Sequence, residues 1–250
     1  MKKTIMFFGA HADDMEIRAA GTMRRFVEDG YEVVSVMMTN NLAGAYVDEK
    51  TDQYFTTGPA ETQEIRHREA RDAAELLGVK LLFLDFKEAS YFDGTKRVYF
   101  GMEDYDAKNT IGREPLIVAQ YLEHCIADTA KVLLEHEPEI VITHNIANCS
   151  SEHCAASHLT HNAFRRAAAK AGLKELWMTC RVQSSGDILF LSPDVLVDIT
   201  KYHEMKLESL RRHKSQRIDL NRVIATDTYW GRVAGAPFAE AFRTVIRRVP

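Results

Sequence analysis

The sequence lacks the features that mark membrane, secreted and nucleic-acid-binding proteins. None of its apolar runs approaches the roughly 20 residues that a membrane span needs. Its four cysteines are too few and too scattered for a disulfide framework, which favours a reducing, cytoplasmic location. A formal net charge of −4 and the absence of a basic stripe argue against a nucleic-acid partner. The first apolar run stops at Ala10, before two aspartates, so it predicts a strand rather than a signal peptide.

Apolar segments that alternate with helical patterns predict an α/β fold. The predicted strands cover residues 3–9, 32–39, 79–84 and 139–143, and the predicted helices cover 15–29, 61–77, 115–136, 153–171 and 200–213. This order is typical of a Rossmann-like, mostly parallel sheet with helices on both faces. The C-terminal third is less regular, and we expect paired strands over residues 181–199. No linker divides the chain, so we expect a single domain over residues 1–250.

Polar side chains follow the predicted strands at their carboxyl ends. His11, Asp13 and Asp14 come directly after the first strand, Asp85 after the third, and His144 after the fourth. In open parallel sheets, ligands bind outside these ends. We therefore expect the functional site at this edge of the sheet.

The turn after the first strand has two interpretations. His11 and Asp14, joined by His153 from far along the chain, would form a three-ligand zinc site with an open position for water. Asp13 would then accept a proton from that water. Alternatively, the two aspartates cap the helix that follows them, where carboxylates are favoured. Spacing alone leaves both open. A nucleotide-binding Rossmann protein is a weaker alternative, because the turn lacks G-x-G-x-x-G and carries carboxylates where a phosphate would sit.

Five segments resemble, in order, the motifs of the LmbE-like (PIG-L) deacetylases. They are residues 11–16 with 21–22 (H-A-D-D-M-E…G-T), 66–78 (R-H-R-E…A-A-E-L-L-G), 138–144 (P-E-I-V-I-T-H), 206–216 (K-L-E-S-L-R-R-H-K-S-Q) and 239–242 (A-E-A-F). The family consists of zinc-dependent enzymes on a Rossmann-like fold. They remove acetyl groups from N-acetylglucosaminyl compounds and related amides.

The resemblance implies a role for several residues of this chain. It implies His11, Asp14 and His153 as ligands of Zn²⁺ (or of Fe²⁺ or Co²⁺), Asp13 as general base, and Arg66 and Asp85 as contacts to substrate hydroxyls. It also implies a small N-acetylated amino sugar or glycoconjugate as the partner, and it leaves homo-oligomerisation open.

The second family motif, H-P-D-H, departs from the pattern here and reads S-S-E-H, ending at His153. Glu152 keeps a carboxylate that can orient an imidazole. Ser150, however, replaces a histidine that stabilises the oxyanion or protonates the leaving amine, and loss of such a group typically costs about 10²–10³ in rate. We expect His144 to substitute for it. The alternative is a catalytically weakened member that binds a sugar or serves as an assembly subunit.

Two further departures lie beside the first motif. Ala12 stands where H-P-D-D has proline, which loosens the turn without removing a ligand. Residues 39–44 read T-N-N-L-A-G and lack the acidic residue of the family's T-x-G-E-x-G loop. This second change leaves the identity of the substrate open.

Overall fold

The structure, a computed structural model, describes residues 3–42, 46–47, 54–55, 59–92, 97–99, 113–148, 150–170, 172–180, 192–216 and 218–248. Its strands are β1 Thr4–Gly9, β2 Glu32–Thr39, β3 Tyr46–Val47, β4 Tyr54–Phe55, β5 Lys80–Phe86, β6 Ser90–Phe92, β7 Arg97–Tyr99, β8 Ile140–Thr143, β9 Glu175–Cys180, β10 Val195–Asp198 and β11 Ala239–Arg247. Seven of them form a sheet in the order β10-β11-β9-β8-β1-β2-β5. The strands from β9 to β5 pair in parallel, whereas β11 pairs antiparallel with both of its neighbours, β9 and β10. The predicted mostly parallel sheet is confirmed.

Helices cover both faces of this sheet, as the sequence predicts. They are α1 Asp14–Glu28, α2 Pro59–Leu77, α3 Leu116–Ala119, α4 Glu123–His136, α5 Ser151–Ala167, α6 His203–Arg211 (after a 3₁₀ turn, Thr200–Tyr202) and α7 Leu220–Ala234. Successive side chains of a strand point to opposite faces. In β1, Met6 and Phe8 pack in a core with α3, α4 and α5. Ile5 and Phe7 pack in a second core with α1 and α2.

The order of the strands changes direction at β1, which lies between β2 and β8. From β1 the chain continues to β2 on one side, and much later returns through β8 on the other. The carboxyl ends of β1 and β8 lie side by side, and the connections that follow them run to opposite sides, so a crevice opens there. Such a switch point is the usual ligand site of an open parallel sheet.

Several predicted boundaries differ from the observed ones, and three of the differences bear on the site or on the core beside it. The helix predicted over 115–136 is broken between α3 and α4, because the Gln120 side chain bonds the Ile117 carbonyl and Leu122 adopts an extended backbone. The helix expected from His153 begins earlier, at Ser151. The third strand continues to Phe86, where it still pairs with Thr39 of β2 after a register shift. Asp85 therefore lies inside β5 rather than after it, with φ at 54°.

The C-terminal third is more regular than predicted. Residues 181–191 of the expected strand pair lie outside the described residues. The remaining part contains β10, which pairs with β11. The sequence analysis missed β9, α7 and β11, although α7 carries ordinary end signals: Asp219 caps its first turn and Gly235 ends it at φ 74°. The single-domain assignment stays a prediction. No helix in the described ranges is both long and apolar enough to cross a membrane.

Candidate metal centre

Three predicted ligands meet in the crevice between β1 and β8. Asp14 Oδ1 lies 3.2 Å from His153 Nε2, and Asp14 Oδ2 lies 3.5 Å from His11 Nδ1. The two imidazoles approach each other to 3.2 Å between His11 Nδ1 and His153 Nε2. One ligand atom from each residue therefore lies within 4.8 Å of the others. Two imidazole nitrogens and one carboxylate oxygen form a donor set that suits Zn²⁺ and similar divalent cations.

The hydrogen bonds of His153 leave its Nε2 lone pair facing this cluster. Its Nδ1 lies 3.1 Å from Asn148 Oδ1, which also accepts the Ser150 backbone N–H at 2.9 Å. Arg18 Nη2 lies farther from the same nitrogen, at 3.4 Å, and because the nearer Oδ1 accepts, we assign the proton to Nδ1. A histidine held in this way presents an unprotonated Nε2, as a metal ligand must.

The other ring nitrogen of His11 faces two further carboxylates, those of Glu152 and Glu88. His11 Nε2 lies 3.1 Å from Glu152 Oε2 and 3.4 Å from Glu88 Oε1. The second oxygen of Glu152 accepts the Ala89 backbone N–H at 2.7 Å, which fixes the carboxylate. With His11, these two glutamates form another three-ligand set. Sequence reasoning missed Glu88, although it lies only two residues beyond β5, at the same edge of the sheet.

The charges of the cluster depend on each other. Burial alone would lower the pKa of His11, but Asp14 and Glu152 raise it well above its usual value. Burial alone would raise the pKa of Asp14, but the imidazoles of His153 and His144 hold it well below its usual range. Burial lowers the pKa of His153. Without a cation the cluster thus carries a proton on His11, which a bound metal would replace.

The two aspartates of the turn do not cap α1. Asp13 occupies the N-cap position but makes no side-chain cap hydrogen bond. Asp14 turns back instead, and its Oδ2 accepts the His11 backbone N–H at 2.7 Å. Asp13 precedes Asp14 in the chain and is partly exposed. Burial alone would lower the pKa of His213, but the carboxylates of Glu16 and Asp13 raise it.

His144 lies behind the ligands, fully buried at the end of β8. Its Nε2 accepts the Ala10 backbone N–H at 3.0 Å, and its ring stacks on that of His153 with centroids 4.2 Å apart. Burial lowers the pKa of His144 to about 3, so the ring is neutral at neutral pH. The same Nε2 lies 3.2 Å from Asp14 Oδ2, so His144 directly contacts the carboxylate of a predicted ligand.

The two predicted substrate contacts lie at different places. Arg66 is buried in α2, and its Nη1 lies 3.8 Å from Glu88 Oε1, so it joins the cluster through this glutamate. Asp85 makes no side-chain contact with the cluster among the described residues. Its Oδ1 is buried without a hydrogen-bond partner there, and burial raises the pKa of the carboxyl.

A family profile described as "PIG-L: GlcNAc-PI de-N-acetylase" matches residues 6–171, which is more than half of the chain. The chain belongs to the PIG-L family. A probable N-acetyl-α-D-glucosaminyl L-malate deacetylase 2 from Bacillus cereus is 25% identical to it over 222 residues, covering 86% of this chain and 84% of that protein. The family resemblance read from the motifs is thereby confirmed.

Two solved structures share the fold of this chain. N,N'-diacetylchitobiose deacetylase from Pyrococcus horikoshii matches with a TM-score of 0.69 and 20% identity, over 97% of this chain and 84% of that one. The 4-carboxy-2-hydroxymuconate hydratase of Pseudomonas putida matches with a TM-score of 0.69 and 21% identity, over 100% and 98% of the two chains. At such identities the likeness concerns the fold alone.

Two departures from the PIG-L motifs have local explanations. Ser150 is the N-cap of α5, with an extended backbone and an Oγ that accepts the His153 N–H at 3.5 Å. It therefore starts the helix that presents His153, as serine commonly does. Ala12 N–H donates to Asn41 Oδ1 at 2.8 Å, a bond that proline could not make. Asn41 takes φ 59°, a left-handed conformation that asparagine tolerates better than most residues.

The remaining PIG-L motifs meet as buried polar pairs around the centre. The pairs are Glu16 with His213 (3.5 Å), Glu69 with the Ser215 N–H and hydroxyl (2.8 and 2.5 Å), and Lys206 with Glu240 (2.9 Å). Glu240 also accepts the backbone N–H groups of Gly21 and Thr22 inside α1. A Cβ at Gly21 would lie 2.6 Å from the Ile199 side chain, so the glycine allows this close approach. The motifs therefore join α1, α2, α6 and β11 behind the ligands.

Proposed function

We propose that the chain is a metal-dependent deacetylase, with Zn²⁺ as the first choice of metal. It would hydrolyse the acetyl amide of a small N-acetylated amino sugar or related compound, in the cytoplasm. The observation that carries the proposal is the meeting of His11, Asp14 and His153 at the switch point, in a chain of a deacetylase family. Fe²⁺ or Co²⁺ would suit the same ligands.

A divalent cation held by these three residues would polarise the amide carbonyl and lower the pKa of the attacking water. Asp13 is the proposed general base, because it precedes the ligand Asp14 in the chain, is partly exposed and is not engaged in capping. It takes the proton from water as the new C–O bond forms. It then returns that proton to the nitrogen as the C–N bond breaks, which leaves acetate and the amine.

The surrounding residues keep the ligands in place. Glu152 orients His11 through its Nε2, and Asn148 orients His153 through its Nδ1. For His144, proposed from the sequence as a catalytic group, the surroundings support a positioning role instead: it stacks on His153 and keeps a neutral ring. Arg66 and Asp85 remain proposed substrate contacts, and each has a buried polar atom without a hydrogen-bond partner among the described residues.

A second candidate function rests on Ser150. Its hydroxyl caps α5, so this position supplies no imidazole to protonate a leaving amine. A reaction without an amine leaving group would not need an imidazole at this position. Addition of water to a double bond is such a reaction, and the Pseudomonas relative with this fold is named a hydratase. The other alternative is a weakened member that binds a sugar or serves in an assembly.

Paired variants of the turn test the deacetylase proposal. Asp13→Asn should keep the metal and lose acetate release on N-acetylated amino sugars, whereas Asp14→Ala should lose the metal. Asp29→Asn, at the exposed end of the same helix, is the control and should change neither. Metal content is measured by elemental analysis of metal-replete protein. Equal metal loss in both variants would contradict the division of roles.

The outcome for the native chain separates the candidates. Bound metal with acetate release supports the deacetylase. Bound metal without acetate release, but with water addition to unsaturated hydroxyacids, supports the hydratase. Bound metal with sugar binding and no turnover supports the weakened member. If folded protein prepared with excess divalent metal binds none at these residues, all of the metal-dependent proposals are wrong.

A further inference from the structure

We propose that Glu114, His124 and Cys125 form a second, structural binding site for a transition-metal cation such as Zn²⁺. The site lies where the segment before α3 meets the first turn of α4, and it shares no residue with the candidate centre. One ligand atom from each of the three residues lies within 4.8 Å of the others.

The distances between the ligand atoms approach those of a zinc site. Glu114 Oε1 lies 2.6 Å from His124 Nε2, and Glu114 Oε2 lies 3.6 Å from Cys125 Sγ. In a tetrahedral Zn²⁺ site the oxygen and nitrogen lie roughly 3.3 Å apart and the oxygen and sulfur roughly 3.5 Å. The oxygen–sulfur distance already fits, and because it involves the other oxygen of Glu114, the carboxylate would bind the cation through both oxygens. The imidazole would have to withdraw by roughly 0.7 Å, and its side chain is 58% exposed and can rotate outward.

The three residues also offer a suitable set of donors. Thiolate, imidazole and carboxylate are the groups that zinc prefers, and three protein ligands leave a fourth position for water. Burial, and then the Glu114 carboxylate, raise the pKa of Cys125 to about 11, so the thiol is protonated without a cation. Binding would therefore break the S–H bond, form the sulfur–metal bond and release the proton to the solvent.

Other charged groups surround the site without occupying it. Arg113 Nε lies 3.8 Å from Glu114 Oε2, but its Nη2 pairs with Asp128 at 2.8 Å. Lys131 also pairs with Asp128, at 2.9 Å. Of the cations that the structure describes near the site, Arg113 and Lys131 thus both pair with Asp128. The chief competitor for the Glu114 carboxylate is His124, and a cation would bridge these two residues rather than repel either.

The proposed site would add a metal bridge between two elements that already meet through Arg113–Asp128 and Glu114–His124. The backbone of Glu114 accepts the Lys87 N–H, and Leu116 donates to the Lys87 carbonyl, so this segment lies along the end of β5. A cation there would tie the same segment to α4. The expected role is structural, since Cys125 is fully buried.

Cobalt titration of metal-free full-length protein tests the site, because a cobalt-bound thiolate gives a sulfur-to-metal charge-transfer band in the near ultraviolet. We expect this band, and one more equivalent of Co²⁺ than the candidate centre alone binds. Cys125→Ala should lose the band and that equivalent, and His124→Ala should weaken the corresponding binding at least tenfold. Asp14→Ala should keep the band, which separates this site from the first.

His136→Ala, at the other end of α4, is the matched control and should leave the band unchanged. Because His124 is exposed, its variant reports on the site even if Cys125→Ala fails to fold. Absence of the band in the native chain overturns the proposal. So does a band that survives in folded Cys125→Ala, since it would come from another thiol such as Cys154, beside His153.

Discussion

Replacing the buried Lys206 should destabilise the protein strongly. Its side chain is fully buried, and Nζ lies 2.9 Å from carboxylate oxygens of both Asp227 and Glu240. Burial alone would lower the pKa of Lys206, but these two carboxylates raise it, so the ammonium is charged. Lys206→Met keeps most of the apolar stem and leaves two buried carboxylates without their cation. Breaking a buried ion pair in this way typically costs about 3–5 kcal/mol.

The assay is chemical and thermal unfolding followed by circular dichroism. For a protein of this size, 1 kcal/mol shifts Tm by roughly 2–4 °C, so we expect a decrease of roughly 6–20 °C. Arg211→Met is the matched control on the same helix, because Arg211 pairs with Glu204 and Glu208 at the surface. That change should cost no more than about 1 kcal/mol.

A second variant separates charge from packing. In the Lys206→Met background, Glu240→Gln removes one of the two uncompensated carboxylates and should recover part of the lost stability. A cost for Lys206→Met no larger than that of Arg211→Met would refute the reasoning. So would a double variant that is less stable by the full sum of the two single changes, since the residues would then not be coupled.

Three further predictions concern packing, capping and protonation. Gly21→Ala should destabilise by about 1–3 kcal/mol in urea unfolding, because its Cβ would overlap Ile199, whereas Gly172→Ala, which meets open space, should be near neutral. Ser150→Ala should cost about 0.5 kcal/mol, at the low end for an N-cap because its bond is 3.5 Å long, and a loss above 2 kcal/mol would contradict that role. Zn²⁺ binding should release about one proton near neutral pH, because His11 is protonated in the metal-free state, and metal affinity should rise with pH. Calorimetry in two buffers of different ionisation enthalpy measures that proton, and binding without release would count against the assignment.

The parts of the site that follow from local patterns could be predicted from the sequence. An apolar strand that is followed by His11 and Asp14 indicates a site at the carboxyl end of a parallel strand. The order of the family motifs along the chain adds His153 as the third ligand. What spacing could not supply is the direction of each side chain. The choice between capping and ligation by Asp14 depends on its bond to His11 N–H, which belongs to the folded turn.

Residues that act through tertiary contacts were beyond the sequence patterns. Glu88 lies in a stretch without periodicity, and its role emerges only because β5 and α5 bring it to His11 beside Glu152. Strand β11 also depends on tertiary contacts, and in the sequence only its first residues, 239–242, match a family motif. Its place inside the sheet depends on antiparallel pairing with β9, a contact distant in sequence.

The bond from Ala12 N–H to Asn41 Oδ1 links two departures from the family motifs. A proline at this place stiffens the turn covalently, through its ring, whereas here a hydrogen bond from another strand's end restrains it. Because Ala12 supplies the donor that a proline lacks and Asn41 supplies its acceptor, the two departures depend on each other in this turn. Ala12→Pro alone would leave the Asn41 oxygen buried without its donor, so a lineage returning to the proline turn would be expected to lose Asn41 as well.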